Sequence, residues 1–170
     1  VNAAQAIELW RNLGAHPGLC NVLRNFYQHN QRWIESKDAV HPAPVTAVRS
    51  LLQGCPASTL LLAAIMSAWA HTIQTQVPGV QVGVYIDDRT LWATGVNATR
   101  RIRQALQVSI DFDAIFGMTE HPDKREVFSA HPRARDDLRD LVSNPARCSS
   151  GFTMLGVDYQ CGDRETHAVK

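Results

Sequence analysis

The stretch Val80-Gln81-Val82-Gly83-Val84-Tyr85-Ile86-Asp87-Asp88-Arg89-Thr90-Leu91-Trp92 decides the architecture. Val80, Val82, Val84 and Ile86 recur with period two, the mark of a strand with one buried face. The strand ends in two acids, and Thr90, Leu91 and Trp92 suit a returning strand. Asp87 and Asp88 then occupy the tight turn of a hairpin. Two carboxylates crowded there repel each other, and a divalent cation, magnesium being the natural choice, relieves the repulsion. Aspartate is also a common turn residue, so a solvated hairpin is the competing reading of the pair.

Upstream, Val77-Pro78-Gly79 turns the chain into this strand from a long apolar helix expected from about Ser58 to Gln74, with Ser58 as its cap. A loop, Gln53-Gly54-Cys55-Pro56-Ala57-Ser58, opens that helix. Before it, Trp33-Ile34-Glu35, the turn Ser36-Lys37-Asp38 and an extended stretch through Val40, Val45 and Val48 read as an edge hairpin, because Pro42 and Pro44 cannot donate to a ladder. The chain opens with two short antiparallel helices, one from the Asn2 cap to Gly14, the other from Pro17 to about His29.

Downstream, Asn97 is placed to cap a basic helix containing Arg100, Arg101 and Arg103, running to about Phe116 before Gly117. A short strand from Arg125 to Ser129, a charged helix from about Pro132 to Val142 and a last apolar strand from Phe152 to Tyr159 follow, and the remainder reads as a frayed tail.

The bulk numbers describe a globular chain of 170 residues, 45% hydrophobic and 19% charged, and exclude disordered and fibrous classes. Lysine and arginine number 17 against 16 acids, so a nucleic-acid surface would have to be a local patch. Cys20, Cys55, Cys148 and Cys161 form no C-x-x-C pair, which leaves free thiols in a reducing compartment as the best fit. The apolar run from Leu60 to Ala70 already contains Ser67 and falls short of the roughly 20 residues that cross a bilayer. Without a signal-like N-terminus the expectation is an intracellular, non-secreted protein with no membrane partner, nucleus or cytoplasm left open. A start at Val1 reads as a segment of a longer chain.

The order Q-G-x-P-x-S, helix, Y-x-D-D resembles motifs B and C of reverse transcriptases of the non-retroviral kind, encoded by retroelements and group II introns. Gln53, Gly54, Pro56 and Ser58 match the first motif, and Tyr85, Asp87 and Asp88 the second. Pro122-Asp123-Lys124-Arg125-Glu126-Val127-Phe128 resembles motif D, and Phe152-Thr153-Met154-Leu155-Gly156-Val157 looks like the hairpin near the primer grip. The resemblance covers most of the chain. It implies an α+β fold, a palm-like antiparallel sheet with helices packed on one face over residues 1–160, and 161–170 as the tail.

The resemblance further implies template-directed nucleotidyl transfer using magnesium, or manganese in its place, with an RNA template, a DNA or RNA primer and deoxynucleoside triphosphates. Asp87 would be the principal metal carboxylate and Asp88 the supporting one. Tyr85 would contact primer or nucleotide, and Lys124 would assist the leaving group, with a solvated lysine as the alternative. Gln53, Gly54, Pro56 and Ser58 would face template or nucleotide, Gly54 permitting backbone closed to other residues. For Arg100, Arg101 and Arg103 a solvated helix face is weighed against phosphate contact, and for Trp33, Trp69 and Trp92 core packing against base stacking. The dispersed histidines lack metal-ligand spacing.

The chain departs from the family's pattern in having no D-x-x-x-A-F-D strand to supply another acid, which is expected from the upstream part of the parent polymerase. Fingers and thumb are expected from the rest of the parent. Thr59 stands where the family commonly has a second proline, and Ser50-Leu51-Leu52 replaces the usual glycine and basic residue. A non-catalytic relic serving in nucleic-acid binding or scaffolding is the rival class. An RNA-dependent RNA polymerase is disfavoured by Tyr85-Ile86-Asp87-Asp88 in place of Gly-Asp-Asp.

Overall fold

In a computed structural model, residues 1–33, 35–37, 39–46, 50–154 and 157–160 are described. Ile34, Asp38, Val48, Leu155, Gly156 and the tail 161–170 with Cys161, all assigned above, lie outside them. Among the described residues the architecture is α+β, five helices with small, mostly antiparallel strand pairs.

Helices α1 (Ala3–Asn12) and α2 (Pro17–His29) form the expected pair. Asn2 caps α1 by accepting from the amides of Ala4 and Gln5 at 3.0 and 3.4 Å. Its own amide donates to the Phe116 carbonyl at 2.9 Å, tying the N-terminus to a distant helix end. Gly14, at φ +99°, closes α1 in the left-handed region that glycine enters without penalty.

The edge hairpin is a nested pair: β1 (Gln31–Arg32) meets β4 (Val45–Thr46), and β2 (Glu35–Ser36) meets β3 (Ala39–Val40). It pairs with no other strand among the described residues.

Helix α3 (Pro56–Gln76) starts two residues before the expected point. Proline at the first helical position needs no amide partner, so the helix begins there, with Cys55 at the cap and no side-chain bond. Ser58 therefore lies inside the first turn. At 21 residues α3 has, by length and composition alone, what a bilayer span requires. Its buried residues Leu61, Ala64, Ile65, Met66, Trp69 and Ile73 nonetheless gather on one broad face at helical spacing. Each large member contributes about 1.5–3 kcal/mol by burial.

Strands β5 (Val80–Tyr85) and β6 (Asp88–Ala93) form the central hairpin, in register from Val80↔Ala93 to Tyr85↔Asp88. Val80, Val82, Leu91 and Ala93 join the core shared with α3 and α4 (Ala98–Phe116). Both helices thus cover one face of the hairpin. The hairpin gains no third strand among the described residues, so the wider sheet of the sequence reading is reduced here to two strands. Asn97 stands at the cap of α4 without a side-chain bond, and Gly117, φ +59°, ends it.

Beyond α4 the elements shorten. A 3-10 turn, Pro122–Lys124, leads to β7 (Val127–Phe128). Helix α5 (Pro132–Leu138) ends four residues before Val142 and continues only as a 3-10 turn. Strand β8 (Cys148–Ser149) pairs parallel with β7. The last apolar stretch is not one strand but a hairpin of β9 (Gly151–Met154) and β10 (Val157–Gln160). Phe128, Phe152 and Tyr159 stack through this region, with ring centroids 3.9 and 4.9 Å apart.

Candidate functional site

The register Tyr85↔Asp88 leaves Ile86 and Asp87 as the two turn residues, so Asp87 sits in the turn and Asp88 begins the returning strand. Ile86 has φ +57° and is the only non-glycine with positive φ among the described residues. Positive φ at the first central position alone is the pattern of a type II′ hairpin turn, which favours glycine. A β-branched residue there is strained by about 1–3 kcal/mol. Ile86 is also exposed, so no burial of its own side chain offsets the strain.

Asp87 and Asp88 are both exposed, and neither carboxylate has a hydrogen bond or ion pair within the described residues. Alternation along the hairpin puts Val82, Leu91 and Arg89 toward the helices and leaves Asp88, Thr90 and Trp92 on the opposite face with Tyr85 and Gly83. Tyr85 and Asp88 are therefore cross-strand neighbours. The Trp92 ring lies across Gly83, where a Cβ would come within 3.2 Å of it. Core packing is thus wrong for Trp92, which lines an open groove, and for Trp33, which is 57% exposed. The Trp92 groove is also walled by α5 residues Pro132, Arg133 and Asp137. Trp69, 1% exposed, is a core residue.

Immediately behind the acids, Arg89 makes a two-pronged ion pair with Asp113 of α4, both bonds 2.6 Å. Its guanidinium sits 5.2 Å from the centre of the Trp69 ring. Trp69 Nε1 donates to Ser109 Oγ at 3.0 Å. Sequence reasoning missed this network. The available signal was polarity on an apolar stripe, since Ser109 and Asp113 recur at helical spacing with Ala105, Phe112 and Phe116.

Lys124 borders the same cavity of about 450 Å³ as Asp88, with Arg89, Glu120 and Arg125 also on its wall. Arg125 donates to Glu120 at 2.8 and 2.5 Å. That hydrogen bond holds the Glu120 carboxyl below its ordinary value against the opposing effect of burial, with smaller help from the charges of Arg125 and Arg89.

The Gln53–Ser58 loop lies elsewhere. Gln53, Gly54 and Pro56 are exposed, and Gly54 takes φ +84° with open space where a side chain would project. The Ser58 hydroxyl donates to the Leu52 carbonyl at 2.7 Å and bonds Tyr27 Oη at 2.8 Å, fastening the loop to α2. Burial would raise the Cys55 thiol, but bonds at the Ala57 and Ser58 backbone and to the Ser58 and Tyr27 hydroxyls outweigh it and lower the thiol from its ordinary value. Ser58 stands about 16 Å along the α3 axis from Trp69, the level of Arg89. The loop and the acids thus flank the same helix without touching.

The basic helix is mostly committed. Arg103 bonds both Asp140 oxygens, at 2.9 and 2.5 Å, and the Asp137 carbonyl. The Asp140 carboxyl is correspondingly held below its ordinary value. Arg101 lies across Gly79 and donates to the Thr94 carbonyl at 3.4 Å. Arg100 is exposed.

No cluster of three or more His, Cys, Asp or Glu residues able to hold a metal occurs among the described residues. The oxygen donors at the hairpin tip are two carboxylates. Magnesium is ordinarily held by one or two carboxylates together with substrate phosphates and water, so this donor set fits a shared site and not a closed protein cage. Compared with known protein families, with curated proteins and with solved structures, the chain matches none.

Proposed function

We propose that the chain is a palm segment of a reverse-transcriptase-like polymerase, serving RNA-directed DNA synthesis in a longer parent. The observation that carries this reading is the pair of exposed carboxylates, uncommitted among the described residues, at a strained two-residue turn, Asp87 within it and Asp88 at the start of the returning strand, beside a strand packed on a long apolar helix. Such strain in a turn is characteristic of functional sites.

In this reading Asp87 is the principal metal ligand and Asp88 the supporting one. Magnesium or manganese bound there would supply charge neutralisation for the primer 3′-hydroxyl and the leaving pyrophosphate. Tyr85, beside Asp88, contacts primer or nucleotide. Lys124, which borders the same cavity as Asp88, would offer a positive charge to the leaving group. Gln53, Gly54, Pro56 and Ser58 form a template-side loop, its Gly54 leaving open space for a strand to approach, while Ser58 holds it in place. An additional acid comes from another part of the parent.

The test is incorporation of deoxynucleotides on a primed RNA template by the full parent chain, with an Asp87→Ala, Asp88→Ala variant as control. Activity that needs magnesium and vanishes in an equally folded variant supports the reading. A well-folded parent with no incorporation sinks it in favour of a non-catalytic relic, a reading to which the two-carboxylate donor set also lends itself.

A further inference from the structure

We propose that Arg89 is a positioning residue for the acidic turn: its fork on buried Asp113, beneath the Trp69 ring, holds the hairpin tip in its strained backbone and so sets where Asp87 and Asp88 stand. The use of those carboxylates rests on the polymerase reading, whereas the mechanical claim about the turn does not.

Four observations converge. First, the buried polar residues among those described are Ser109 and Asp113, four residues apart on α4 and each bonded to another element, Ser109 to α3 and Asp113 to β6. The polar interior is thus concentrated behind one end of one hairpin. Second, Arg89 follows Asp88 directly and pairs across the ladder with Val84, so no flexible joint separates the fork from the second carboxylate. Third, Ile86 is exposed at φ +57°, and a strained turn persists only where its surroundings over-determine it. Residues 85–88 are all exposed, so the restraint is taken to come from the strands below. Fourth, a free arginine beside two unpaired aspartates would pair with them and compete with a cation. Asp113 occupies both prongs of the guanidinium and leaves the tip acids available.

A role in stability alone is a weaker account, because apolar residues of similar volume often replace buried ion pairs without loss. That substitution is also the test. The double variant Arg89→Met, Asp113→Leu keeps the packing volume and removes the fork. Three quantities are read on the 170-residue chain: the unfolding midpoint in urea, amide hydrogen exchange across residues 85–88, and broadening of the Asp87 and Asp88 amide signals by manganese. Positioning predicts an unfolding midpoint near that of the wild type, exchange faster by about tenfold at the tip, and a manganese midpoint shifted upward by several fold. Intact tip protection in a folded double variant overturns the proposal.

Should the double variant not fold, Arg89→Lys is decisive, since it keeps the charge and loses the planar fork. Faster exchange confined to residues 85–88 supports positioning, and unchanged exchange overturns it. Absence of manganese broadening in the wild type would count against the polymerase reading alone, because the exchange measurement judges the turn by itself.

Discussion

Asp113 and the pair Asp87-Asp88 belong to the same hairpin-and-helix unit and have opposite fates. Asp113 has only 10% of its side chain accessible and is held by two 2.6 Å bonds from Arg89. Asp87 and Asp88, two residues and one residue before that arginine, are exposed and hold nothing among the described residues. A buried carboxylate must be paired, because removing its charge from water costs several kcal/mol, whereas exposed ones stay solvated and free to take a ligand. Burial thus commits one acid to the architecture and leaves two in water.

The sharpest way to break the comparison is Asp113→Ala. It strands the Arg89 charge, whose side chain is 17% accessible, and the expected loss is about 3 kcal/mol, the low end for a broken buried pair. Urea unfolding measures it, and a loss below about 1 kcal/mol would mean the pair is solvated. Next comes Ile86→Gly. Relief of positive-φ strain outweighs the extra backbone entropy of glycine, and a gain of about 1 kcal/mol is expected in the same experiment.

A smaller effect concerns pH. The Glu120 carboxyl is held below its ordinary value of 4.5 chiefly by the Arg125 hydrogen bond. A depressed carboxyl pKa contributes stability above the unfolded value and loses it as pH falls through the folded one. Acid titration should therefore destabilise the wild type below about pH 4.5 more steeply than Glu120→Gln, and parallel curves would remove Glu120 from the account. Smallest of all, Asp87→Ala, Asp88→Ala should alter stability by no more than about 0.5 kcal/mol, because the acids have no partners to lose. A large loss would show them to be structural and would dissolve the contrast with Asp113.

Local pattern made much of the fold legible. Period two marked β5, Pro17 and Gly14 punctuated the first helices, and Gly117 ended α4, since these signals act over a few residues. Legibility failed where a local rule met a longer-range one. Ser58 looked like a cap, but Pro56 starts the helix and leaves the Ser58 hydroxyl to bind Leu52 and Tyr27. Trp92 looked like core until the register turned it away from α3 into an open groove, 38% exposed. Arg103, read as a solvated side chain with phosphate contact as the alternative, is instead paired with Asp140 from the 3-10 turn after α5.

The acidic turn was readable from the sequence because a two-residue hairpin and its flanking alternation are local, and so was the order of loop, helix and strand around it. Tertiary structure alone decided that Asp113 is consumed and that Lys124 shares a cavity with Asp88. Both depend on chain segments 24 and 36 positions apart being packed together (Arg89 to Asp113, Asp88 to Lys124). The energy that sets such contacts is burial against partners far away in the sequence, which no short pattern records.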